Sequence, residues 1–239
     1  ILGVRLNVTL RSQRLGLQLT RSVLMLVTNG LFFFAVKELP LAEVVAIMFV
    51  GPLFVTALSV PLLRDYVGPR RWVAVGIGFL GALVIVRPGS GIMQWLAILP
   101  IFAAFTNALY TITTRQLSNH DLPMTTLFYT AALGAVVTTA VVPFFWITPD
   151  AFGWFLMALV GLFGAAGHLT LIKALSYASP VVIAPLSYAS LIWSIGYGFA
   201  LFGDLPDTTT LLGAALIAAS GMYVFHRERI RATVESDDV

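Results

Sequence analysis

Polar side chains are scarce within the long apolar runs of this chain, and the few that occur there are the groups able to do chemistry. His168 is the one deep residue that titrates near neutral pH. It reads either as a substrate donor or proton acceptor, or as a neutral imidazole bonded to a helix backbone or a neighbouring hydroxyl. Ser187, Ser190, Ser194 and Tyr197 follow one another at spacings of 3, 4 and 3, which sets four polar groups on one helical face. Asn107, Tyr110, Thr111 and Thr114 form a second stripe at spacings of 3, 1 and 3. Each stripe either lines a wet cavity or joins a helix pair through interhelical hydrogen bonds. Pro52 and Pro185 cannot donate to the carbonyls of Met48 and Val181, so each either bares an acceptor to a cavity or simply kinks its helix. This is an inventory for binding rather than for bond making. The absence of cysteine removes disulfides, thiolate metal sites and a cysteine nucleophile. Three scattered histidines carry no metal-ligand spacing, and no G-x-x-x-x-G-K-[ST] sequence provides for nucleotide hydrolysis. No cofactor is implied.

The elements that must position these groups are set by composition. Apolar residues make up 59% of the chain and charged ones only 10%, with a mean hydropathy of +0.92, too little polar surface to clothe a soluble globule of this size. Apolar runs near 19–36, 40–63, 71–87, 92–114, 123–147, 152–175, 180–203 and 208–226 are long enough to cross a bilayer as helices. They do not alternate as barrel strands do, and lipid satisfies no open backbone, so the expected fold is an all-α polytopic membrane bundle of eight spans. Small residues such as Gly76, Gly78, Gly81 and Gly213 supply close-packing surfaces, either within the chain or between the protomers of a homodimer.

The runs repeat. Residues 22–87 align without a gap on 161–226 at an offset of 139, which sets Asn29 opposite His168 and Asp65 opposite Asp204. That correspondence makes Asn29 a candidate partner of His168 in a shared site. The turn of the first copy is basic (Arg64, Arg70, Arg71), while that of the second holds Asp204, Asp207 and a run of threonines. Opposite turn chemistry predicts inverted copies. With the N-terminal segment in the cytoplasm, Arg5, Arg11, Arg14, Arg21, Arg64, Arg70, Arg71, Arg115, Lys173, Arg227, Arg229 and Arg231 fall inside, against Lys37 and Arg87 outside. The positive-inside rule then places both termini in the cytoplasm, and the net charge of +3 reads as topology rather than as nucleic-acid binding.

Two segments carry a family resemblance: Glu38–Gly89, reading ELPLAEVVAIMFVGPLFVTALSVPLLRDYVGPRRWVAVGIGFLGALVIVRPG, and Ser179–Phe225, reading SPVVIAPLSYASLIWSIGYGFALFGDLPDTTTLLGAALIAASGMYVF. Both resemble helix pairs of the drug/metabolite transporter superfamily, in particular its bacterial EamA-type members. The resemblance implies ten helices in two inverted five-helix repeats around a cavity for small organic metabolites, in a bacterial inner membrane. Eight spans therefore imply a first repeat of three helices (19–89) lacking its first two, a complete second repeat (90–226), a leading loop or helix remnant (1–18) and a cytoplasmic tail (227–239). The expected partners are the lipid bilayer and a small-molecule substrate. A secondary transporter accounts for the repeat, whereas a membrane enzyme would need a nucleophile, a metal or a paired acid and base that the chain lacks. A non-transporting partner or receptor subunit, or an inactive truncated transporter, is the alternative.

Overall fold

The computed structural model describes residues 11–64, 68–86, 93–183, 193, 196–203 and 205–237, and among these residues it is helical throughout, with no strand. Its helices are α1 (Leu15–Glu38), α2 (Leu41–Met48), α3 (Gly51–Leu63), α4 (Pro69–Val86), α5 (Met93–Leu96), α6 (Ile98–Leu117), α7 (Pro123–Val141), α8 (Ala151–Tyr177), α9 (Pro180–Ile183) and α10 (Thr208–Asp237). Among the described residues, four stretches are long and apolar enough to cross a membrane: Leu15–Glu38, Glu43–Leu63, Pro123–Phe144 and Ala151–Tyr177. These helices fall on the apolar runs read from the sequence.

Local chemistry explains where the helices begin and end. The run at 40–63 breaks into α2 and α3 at Phe49 and Val50, where Pro52 has no N–H to offer the Met48 carbonyl. α3 stops at Arg64, which takes the left-handed conformation (φ 59°) and donates its N–H to the Ser59 carbonyl. α7 opens on Pro123, whose fixed φ suits a first turn, and α8 opens on Asp150, whose Oδ1 accepts the Gly153 N–H at 2.7 Å. At the other end of α8, Arg115 donates through Nη1 to the carbonyls of Leu175 (2.8 Å) and Ser176 (3.2 Å), so a cation sits where the helix dipole is negative.

The chain divides into two compact units. One comprises residues 11–26 with 113–178, and the other residues 27–112 with the described part of 179–239, so the division passes through α1 and α6. In the second unit, a core of Ala46, Ile47, Phe49, Val50, Leu53, Ala82, Ile85, Ala104, Ala214 and Ile217 is filled by α2, the α2–α3 break, α4 and α10, with single residues from α3 and α6. α4 and α10 pack closely because glycines leave room for backbone. A Cβ on Gly213 would sit 2.6 Å from the Gly81 carbonyl oxygen and 2.5 Å from Ile85 Cγ1. The Ser220 hydroxyl donates to the Ala74 carbonyl at 2.6 Å and ties the same pair. In the first unit, α7 and α8 bury almost none of their apolar surface; Phe144, Phe152, Val160 and Phe163 are exposed. Apolar side chains displayed at this density require lipid as their solvent.

The helix-packing surface predicts two different outcomes for glycine replacement. Gly213→Ala forces backbone apart and should lower the stability of the purified protein by about 1–3 kcal/mol, the usual cost of overpacking. Gly76 has open space where its Cβ would be. Gly76→Ala should therefore leave the thermal unfolding midpoint in detergent unchanged or raise it slightly.

Candidate functional site

The polar groups of the first unit converge where the start of α1 meets the hairpin between α6 and α7. Arg21 lies six residues into α1, roughly 9 Å along its axis, and is 0% exposed. A buried guanidinium needs acceptors on several sides. The α6–α7 hairpin provides them: Nε donates to Thr114 Oγ1 at 2.6 Å, and Nη1 donates to the Thr126 carbonyl at 3.2 Å and to Thr130 Oγ1. Thr130 in turn donates to the Thr126 carbonyl at 2.9 Å, the back-bond that a helical threonine makes to residue i−4.

One turn before Arg21, Gln18 is also 0% exposed. Its Nε2 donates to Asp121 Oδ2 (2.8 Å) and to Thr126 Oγ1 (3.2 Å), while its Oε1 has no hydrogen-bond partner among the described residues. A buried acceptor left in that condition costs about 1–3 kcal/mol. Asp121 lies in the α6–α7 connection and also accepts from the Ser12 hydroxyl at 2.5 Å and from the Gln13 N–H at 2.8 Å. Burial alone would raise the Asp121 pKa; the Ser12, Gln13 and Gln18 donors and the neighbouring His120 outweigh it and hold the carboxyl below its ordinary value of 3.8.

The residues singled out from the sequence are distributed as follows. His168 is half-buried on α8 in this same unit. Asn29 is exposed on the part of α1 that belongs to the second unit. On α6, Asn107 is half-buried with its carbonyl accepting from Thr111 Oγ1 at 2.9 Å, and Tyr110 is fully buried. Thr114, the last member of that stripe, is a ligand of Arg21. Tyr197 is 54% exposed and stacked on Trp193, with ring centroids 6.1 Å apart. Ser187, Ser190, Ser194 and Pro185 lie outside the described residues.

Sequence reasoning missed Gln18, Asp121, Thr126 and Thr130, and counted Arg21 only as a positive charge near a span's inner end. A signal for it was present: an arginine inside the first two turns of an apolar helix, with threonines recurring at 125, 126 and 130 at the start of another. Periodicity could not say which neighbour they face.

Residues 2–87 and 94–225 match the EamA-like transporter family. The chain belongs to the EamA-like transporter family. Within the drug/metabolite transporter superfamily this is a family of membrane transporters of small molecules, not of enzymes. The riboflavin transporter of Vibrio cholerae serotype O1 is 31% identical over 225 residues, covering 93% of this chain and 75% of that protein. The S-adenosylmethionine uptake transporter of Rickettsia conorii is 26% identical, covering 92% and 75%. The pseudopaline exporter of Pseudomonas aeruginosa is 26% identical, covering 90% and 76%. A solved crystal structure 18% identical in sequence shares the fold, with a TM-score of 0.63 over 90% of this chain and 77% of the other.

The Asp121 carboxyl has a pKa lower in the folded than in the unfolded chain. Its contribution to stability is thus fully present above the unfolded pKa of about 4 and is lost as pH falls through the folded value. Thermal unfolding followed between about pH 6 and pH 3 should show a fall in midpoint on acidification that is shallower in Asp121→Asn. Equal slopes would show that the carboxylate is not held as described.

Proposed function

We propose that this EamA-family chain is a secondary transporter that moves small organic metabolites by alternating access between two inverted repeats, residues 19–89 and 90–226. It works in a bacterial inner membrane with both termini in the cytoplasm. The observation that carries the reading is the family match, which falls in two successive stretches on either side of residues 88–93. The sequence-level offset of 139 residues and the opposite charge of the two turns support inversion. With no nucleotide-binding motif in the chain, a solute or ion gradient, or exchange, supplies the energy.

The substrate site in this reading is lined by His168 and Asn29 at corresponding positions of the two repeats, with Asn107 and Tyr110 from α6 and the stripe Ser187, Ser190, Ser194 and Tyr197. Half-burial of His168 supports its place there, because an imidazole with one open side can meet a ligand and still be oriented by the protein. Riboflavin and S-adenosylmethionine, named for two of the relatives, are the first probes.

Reconstitution into proteoliposomes loaded with unlabelled probe should show counterflow of the labelled one, and His168→Ala should lower it by roughly tenfold, the loss of one hydrogen bond to substrate. Binding without counterflow would instead make the chain a non-transporting membrane partner. Topology has its own test. With no native cysteine, single cysteines at Ser118 and Asp207 should react with an impermeant maleimide from opposite faces, Ser118 from the cytoplasmic one. Reaction of both from one face would end the inverted-repeat reading.

A further inference from the structure

We infer that Ser12, Gln18 and Arg21, bonded to the α6–α7 hairpin at Asp121, Thr114, Thr126 and Thr130, form a latch that holds one face of the transporter closed. This rests on the alternating-access reading. Three observations set the cluster apart from ordinary helix cement. First, its bonds run between residues 93 to 109 apart in the chain, from Ser12 and the first two turns of α1 to the end of α6, the α6–α7 connection and the start of α7. In the repeat assignment Arg21 belongs to the first repeat, Ser12 and Gln18 to the segment leading into it, and all their partners to the second repeat, so a separation of the two repeats at this face must break these bonds.

Second, the strong members of the cluster carry charge. Asp121 accepts from Ser12, Gln13 and Gln18, and Arg21 donates to two hydroxyls and a carbonyl, which makes both ends charge-assisted. Gln18 spans the gap between the two charges through Thr126. Third, the closed arrangement leaves the buried Gln18 Oε1 without a partner among the described residues. Water reaching that oxygen when the face opens offsets part of the cost of breaking the other bonds. Closed and open states are thereby kept within reach of each other, which a latch requires and a permanent joint does not.

The test uses the full chain in membrane vesicles, with Thr125→Cys as reporter. Thr125 is 1% exposed and sits beside Thr126 at the start of α7, so its thiol is hidden while the latch is shut. Asp121→Asn and Gln18→Ala should each speed labelling by an impermeant maleimide about tenfold, the effect of losing one charge-assisted hydrogen bond, and only from the face that labels Ser118→Cys. Ser12→Ala, which removes a single donor, should give a smaller increase and serves if the stronger variants fail to fold. Unchanged labelling in folded variants would overturn the latch. So would faster labelling from both faces with a lowered unfolding midpoint, because that is general loosening. Labelling is read independently of uptake: unchanged labelling with intact counterflow overturns the latch alone, whereas loss of counterflow in the unsubstituted chain overturns the transport reading on which the latch rests.

Discussion

Hydrocarbon gives a polar group nothing to bond to, and the architecture of this chain follows from that constraint. Backbone groups meet it by forming helices, and α7 and α8 can then display phenylalanine, valine and leucine over most of their surface. Side chains meet it less easily. Arg21 is the extreme case, a guanidinium with no exposed surface, and it is tolerated because Thr114, Thr126 and Thr130 bring oxygen atoms to it from two other helices. One residue on α1 thus specifies how α1, α6 and α7 meet.

The same constraint divides labour between the two units. The second unit is held by small residues: Gly81 and Gly213 allow α4 and α10 to approach until backbone meets backbone, and the Ser220 hydroxyl closes on the Ala74 carbonyl. Displacing helices packed this closely opens voids and loses contacts. The first unit is held instead by hydrogen bonds to charged groups, one of whose members is imperfectly satisfied. Bonds of that kind can be exchanged for water at modest net cost. Close packing in one unit and exchangeable polar contacts in the other are what the proposed alternating access would draw on.

Family membership sharpens the reading of these parts without assigning a substrate. The relatives include proteins named for uptake and for export, and for chemically different cargoes. In the proposed reading, specificity among such relatives resides in the few polar side chains that line the substrate site. In the proposed site that role falls to His168, which is half-buried on α8.

Much of this was legible in the linear sequence. Hydropathy located the helices, because the length of an apolar run is set by bilayer thickness; Pro52 and Pro123 marked a break and a start, because proline lacks a donor; Gly81 and Gly213 marked close approach, because only hydrogen is smaller than a methyl. Composition and motif absence pointed away from enzymes, and two segments pointed to the family. What periodicity cannot encode is which face of one helix meets which face of another. Gln18, Arg21 and Asp121 lie about a hundred residues apart along the chain from the groups they bond, and their types alone read as a loop, a topology signal and a turn. Only the packing of α1 onto the α6–α7 hairpin made them one cluster, because a buried charge takes its meaning from the acceptors around it, and those are assembled by tertiary structure.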